Sequence, residues 1–375
     1  MKKVTISLLI IPVLFSIGVF TAYGVNETQA DSWIREYTAD IEEILDEETL
    51  ETLEQLGLNG ITAENIFNLS FTQVLKNVGK IFKFNLKEHS NRFFKMLSLL
   101  IVLISANSLK SEKSLFSNQL SDIATVITTI LVVSGINNSI SKAVTAFALT
   151  GKLILTYAPI LAVLLSITGN LTASTLYNSG LVALAQVFSA FSENILIPFI
   201  GMYFALIIAL SLNKNVNSSK ITGSLNKIIT GSISFMTMIF TLLISGKNIL
   251  ARDIDGILYK SGKYLISNFI PIIGPGISSV FSSIIGSLSL VKSTVGIFAI
   301  ICTFIINLPV LISLTLDYIS LYAMSLIADS FGEKQIYSIF NGFSNGIKIL
   351  ITIIIFELVL VIISTGLILT IKGEM

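Results

Sequence analysis

Apolar and polar positions divide the 375-residue chain unevenly. An apolar run, Val4 to Phe20, opens it, and residues 25 to about 92 then hold the one long polar stretch. From Phe93 onward apolar runs follow one another with short polar interruptions. Early in the polar stretch Trp33, Tyr37, Ile41, Ile44 and Leu45 recur at spacings of three and four, which predicts short amphipathic helices ended by Gly57 and Gly60. Later, Phe71, Val74, Leu75, Val78, Ile81 and Phe82 share one helical face, and Lys76, Lys80, Lys83 and Lys87 share the other. A helix lying in the membrane interface with lysines toward headgroups has this pattern; so does a solvated charged face on a small helical domain.

A bilayer crossing needs about 20 predominantly apolar residues. Candidate segments are 93–109, 119–137, 143–168, 174–191, 195–212, 228–246, 294–316 and 347–371, with polar connections at 213–227, 247–265 and 329–346. A further segment, 268–291, is apolar but broken, because Pro271, Gly274, Pro275 and Gly276 crowd its first half. Prolines remove backbone donors and glycines loosen what remains, so such a segment cannot face lipid as an intact helix. A turn over 271–276 is expected, followed by a helix whose Gly276, Ser279, Ser283 and Ser287 form a small-residue row suited to close packing. The predicted fold is an all-α, polytopic integral membrane protein with about seven to nine membrane segments, one of them broken or re-entrant. A small extracytoplasmic helical region precedes them.

Composition agrees: 53% of residues are hydrophobic, 13% are charged, and the mean hydropathy is +0.84. Soluble domains carry about 25% charged residues. A net charge of +1 gives no argument for nucleic acid. The single cysteine, Cys302, excludes an internal disulfide framework, and the single histidine, His89, leaves no Cys/His cluster with metal-ligand spacing. Lys2 and Lys3, the apolar run and the small residues of Ala22-Tyr23-Gly24 read as a signal peptide over 1–24; an uncleaved first span is the alternative. The expected organisation is therefore 1–24 signal peptide, 25–92 extracytoplasmic helical region and 93–375 multi-span domain. Lysines and arginines in the loops give a mixed orientation signal. Lys110, Lys113, Lys214, Lys220 and Lys227 fall inside, but Lys247, Arg252, Lys260 and Lys263 fall outside.

Two motif-like stretches carry little. Gly342 to Gly346, GFSNG, matches a nucleophile elbow, but its context is helical and no histidine follows it. Its glycines read better as a close-packing pair. Gly256 to Tyr264 resembles a phosphate loop only faintly, with the glycines too far apart and a tyrosine where Ser or Thr must bind magnesium. No catalytic residues, cofactor or metal site are predicted. Charges at membrane depth say more: Glu357 lies mid-span, Lys152 lies in 143–168, Lys292 precedes 294–316 and Asp317 follows it. Such charges line a polar conduit or ion-coupled site, or else are neutralised by packing and snorkelling. Pro159, Pro198 and Pro309 are read as helix kinks.

The stretch YLISNFIPIIGPGISSVFSSIIGSLSLVKSTVGIFAIICTFIINLPVLI, Tyr264 to Ile312, resembles the C-terminal core of the stage III sporulation protein AE family. The resemblance rests on Phe269 to Gly274, the serine-rich helix after it, Leu290 to Gly296 with Lys292 inside it, and Pro309. Pro275-Gly276 departs from the family pattern and leaves the local turn open. The resemblance implies a mother-cell membrane protein facing the engulfed forespore, a subunit of a channel or secretion-like complex joining the two cells. It implies partners, among them ring-forming subunits and an ATPase, and a need for the complex in forespore development. A stand-alone secondary transporter and a non-conducting membrane scaffold are the alternatives. The first predicts paired broken helices, and the sequence has one broken segment without a clear counterpart.

Overall fold

In the computed structural model the described residues are 27–56, 58, 62–67, 71–108, 116–167, 197–211, 226–236 and 274–369, with isolated positions between them. Their regular structure is all helical: α1 Glu27–Glu42, α2 Glu47–Gln55, α3 Ala63–Phe67, α4 Phe71–Ser108, α5 Phe116–Ile167, α6 Ile197–Ser211, α7 Gly274–Ser330 and α8 Lys334–Leu369. Asp46 caps α2 by accepting from the Thr49 amide at 3.1 Å, and Glu47 and Glu48 sit in its first turn, where the helix dipole favours them.

Several expected interruptions are absent. Segments 119–137 and 143–168 lie in the single 52-residue α5, and the interfacial stretch and 93–109 are both parts of the 38-residue α4. At about 1.5 Å per residue α5 is about 78 Å long and the 57-residue α7 about 86 Å, far beyond a hydrocarbon core of about 30 Å. Of the expected connection 329–346, only Phe331 to Glu333 leave the helix. Gly332 there has φ 73°, and the amides of Gly332 and Glu333 close back on the carbonyls of Asp329 (3.0 Å) and Ala328 (2.9 Å). This is a Schellman stop, which needs a residue tolerant of left-handed backbone. Among the described residues three helical stretches are long and apolar enough to cross a membrane: Thr125–Ile167, Leu288–Ser330 and Lys334–Ile362.

The expected turn at 271–276 is only partly visible. Pro271 lies outside the described residues, while α7 already begins at Gly274 and runs on without a break. Pro275 and Gly276 fall in its first turn, where a missing backbone donor costs nothing because that donor has no intrahelical acceptor. No re-entrant element is seen among the described residues. Ser279 and Ser283 belong to α7, but their side chains lie outside the described set.

α7 and α8 form an antiparallel hairpin, and α7 also packs on α5, α4 and α1 to α3. From Val291 to Ile300 every α7 residue is buried. Part of that cover comes from α1, α2 and the turn between them, where Ile34, Ile41, Leu45 and Leu53 join the same core as Val295, Phe298 and Cys302. Their carboxylates mostly point outward, and burial raises the pKa of the half-covered Glu42. The acidic region therefore shares the core of the long apolar helix. The glycine pair reading holds for α8. A Cβ on Gly342 would sit 2.8 Å from Ile207 of α6, and one on Gly346 would run into the ring of Phe204 and sit 3.0 Å from Tyr203. Only hydrogen fits there, which lets Phe204 stack on Phe343 with centroids 5.0 Å apart.

Candidate functional site: a buried polar cluster

α4 turns an unexpected face inward. Asn77, Asn85 and His89 are buried in one row, with Ile81 between them half-buried. Leu75 and Phe82, from the apolar face read in the sequence, are exposed beside Phe84, Leu86 and the lysines Lys76, Lys80, Lys83 and Lys87. Of this row His89 alone meets α7; Asn85 Nδ2 donates to the Ile81 carbonyl of its own helix at 2.9 Å.

Those partners form a cluster across three helices. His89 Nδ1 lies 2.8 Å from Asp317 Oδ1, and the two side chains are 3% and 7% exposed. Ser139 of α5 donates to Asp317 Oδ2 at 2.5 Å. Ser313, one turn before Asp317, lies 3.1 Å from both His89 Nε2 and Ser139 Oγ. Arg92 Nη1 reaches Asp317 Oδ1 at 3.7 Å and donates to the Gly135 carbonyl, while Nη2 lies 3.4 Å from Glu88. With its Nδ1 hydrogen directed at Asp317, His89 presents Nε2 as an acceptor for Ser313 or for Arg92 Nη2 at 3.2 Å. Each helix thus supplies a group that the apolar surroundings would otherwise penalise.

The order Ser313, His89, Asp317 repeats the connectivity of a hydrolase triad. Its chemistry differs. Ser313 is buried, its oxygen is shared with Ser139, and it does not line the adjoining cavity. That cavity, of about 190 Å³, is lined by His89, Arg92, Lys95 and Met96 of α4, Leu131, Val132 and Ser134 to Ile136 of α5, and Asp317, Ser320 and Leu321 of α7. The arrangement pins helices through a buried charge whose loss would leave its partners unpaired.

The other residues singled out in the sequence do not join this cluster. Lys292 is buried on α7 at 2% exposure, fifteen residues from Asn307, and Glu357 is buried on α8 at 1%. Glu357 Oε2 has no hydrogen-bond partner among the described residues. Pro309 lies within α7, which passes through it. Asn307, fully buried, donates to Thr150 Oγ1 of α5 at 2.9 Å, and Tyr157 of α5 meets Thr365 of α8 at 2.9 Å. Sequence reading found Asp317 as a charge at the end of a span but missed His89, Arg92, Ser139 and Ser313. The available signal was the row Asn77, Ile81, Asn85, His89, polar at positions a lysine-flanked helix would be expected to fill with apolar residues.

Helices of membrane length, knit by buried polar contacts rather than by a soluble core alone, define a helical bundle suited to a membrane. The chain belongs to the stage III sporulation protein AE family, whose profile matches residues 57–372. It is 24% identical over 233 residues to stage III sporulation protein AE of Bacillus subtilis (strain 168), a match covering 62% of this chain and 58% of that protein's length. No solved structure matches it. Membership in the family ties the chain to sporulation.

Proposed function

We propose that the chain is a multi-pass membrane subunit of the channel or secretion-like complex that links mother cell and forespore, required for forespore development. It sits in the mother-cell membrane around the engulfed forespore and works with other stage III sporulation proteins, among them ring-forming subunits and an ATPase. Its role is conductive and structural, not enzymatic. The observation that carries this reading is the family match over 57–372, which takes in α4 to α8 and every residue of the polar cluster. On this reading the apolar half of α4, α5, α6, α7 and α8 each cross, and 174–191 and 228–246 add two, the lower end of the expected range. Helices far longer than the hydrocarbon core supply rigid extensions on which soluble partners can dock.

A non-conducting scaffold is the second reading. It is favoured by the saturation of Asp317, whose oxygens are spent on His89, Arg92 and Ser139 rather than on a passage. The test is co-purification of the tagged chain from sporulating cells with the complex intact, paired with deletion of its gene. Recovery with other sporulation proteins, including an ATPase, and a block in forespore development are expected. Recovery alone, or normal sporulation without the gene, overturns the proposal. Passage of a small fluorescent solute through reconstituted complexes, present or absent, separates channel from scaffold.

A further inference from the structure

The cavity between α4, α5 and α7 has two unlike walls. One is polar and basic: His89, Arg92 and Lys95 from α4, with Ser134 and Ser320 opposite. The other is apolar: Met96, Leu131, Val132, Ile136 and Leu321. Asp317 also lines it, but its oxygens are engaged by His89, Arg92 and Ser139, so its charge is already met within the protein. Arg92 is not fully used, because its buried Nε has no partner among the described residues. From Lys76 to Lys95, α4 carries Lys76, Lys80, Lys83, Lys87, Arg92 and Lys95 against one acid, Glu88. The potential around the cavity mouth therefore favours an anion.

Its place along the helices fits the headgroup level of a bilayer. On α4 the lysine-rich half gives way to the apolar run from Phe93 at this point. Tyr318 and Tyr322 stack beside it with centroids 5.9 Å apart, and Tyr322 is 45% exposed, as an interfacial aromatic anchor is. Elsewhere on the same helices Phe94, Ile101 and Val102 of α4 and Ile127, Ile130 and Val133 of α5 are exposed, as side chains facing lipid are. A phosphate at one end and hydrocarbon at the other describe a single ligand class.

We infer that this cavity is a binding site for an anionic phospholipid. The phosphate is held by Arg92 and Lys95, and an acyl chain lies along Met96, Leu131, Val132, Ile136 and Leu321. The inference deepens the membrane-subunit reading and rests on it. Basic pockets between membrane helices take lipid headgroups by this combination of charge and apolar wall.

The test uses the full chain purified in a zwitterionic detergent. Thermal unfolding is followed on addition of phosphatidylglycerol, phosphatidylcholine or inorganic phosphate. An upward shift of several degrees with phosphatidylglycerol alone is expected, reduced to less than half in Lys95→Glu and in the cavity-filling Ser134→Phe. Both variants change residues outside the His89–Asp317 pair and should fold; a variant with an intact unfolding transition and an unchanged lipid shift overturns the site. An equal shift with phosphatidylcholine overturns the headgroup assignment, and an equal shift with inorganic phosphate reduces the site to a simple anion site. Flotation with liposomes separates the two levels of the argument. Flotation on both lipids without a phosphatidylglycerol preference in unfolding removes the site and leaves the membrane reading intact. Failure to float on either removes the reading beneath it.

Discussion

His89 Nδ1 and Asp317 Oδ1 meet at 2.8 Å in the protein interior, and this contact holds the basic helix of the N-terminal half against the long apolar helix of the C-terminal half. Removing the carboxylate leaves an imidazole and part of an arginine without an acceptor. Losing a buried hydrogen bond to a charged group costs about 1.5–3 kcal/mol. Asp317→Ala is therefore expected to lower thermal stability by that order, with His89→Ala close to it. The double variant should cost clearly less than the sum, because the two residues share one interaction. Thermal unfolding of the four proteins in detergent checks this; simple additivity would sink it.

Gly346 and Gly342 should tolerate no side chain. A methyl group at either runs into Phe204, Tyr203 or Ile207. Overpacking of this kind costs about 1–3 kcal/mol. Gly346→Ala should lower the unfolding temperature and loosen α6 from α8, seen as faster proteolysis in α6. Gly366→Ala, with nothing within 4 Å of the added carbon, serves as the control and should be neutral or mildly stabilising.

Glu357 separates stability from function. Its carboxyl is buried at 1% exposure and Oε2 lacks a partner, so replacing it with an apolar side chain of similar length relieves a desolvation cost. Glu357→Met is expected to raise the unfolding temperature, and Glu357→Gln to leave the fold intact. If the carboxyl serves passage between the cells, both variants lower spore yield at normal protein abundance. Wild-type yield from either assigns Glu357 to packing alone.

The exposed face of α4 mixes Lys76, Lys80, Lys83 and Lys87 with Leu75, Phe82 and Phe84. Near an anionic surface each lysine contributes about 1 kcal/mol. Reversing all four to glutamate should detach this half of α4 from the bilayer while the buried Asn77 row keeps the helix folded. An environment-sensitive dye on Phe84→Cys, in nanodiscs of anionic lipid, should shift to a water-like emission in the reversed variant. An unchanged spectrum together with normal sporulation would show that the face does not meet the membrane.

The sequence by itself determined that the chain is helical and membrane-suited, because hydropathy and helical periodicity act over adjacent residues and survive in one dimension. It also determined the close approach at Gly342 and Gly346, since a side chain's absence is readable without a partner. Span boundaries were less legible. The polar residues of 138–142 look like an interruption, but a helix whose polar side chains find partners on a neighbour has no reason to stop: Ser139 reaches Asp317. The inward row of α4 was decided only in three dimensions. Local pattern favoured Leu75 and Phe82, and the row of Asn77, Asn85 and His89 was buried because α7 brings Ser313 and Asp317 to meet its end. No spacing encodes that meeting: the partners lie 224 residues apart for His89 and Ser313, so only chain folding can decide which polar groups are paired and which face can be buried.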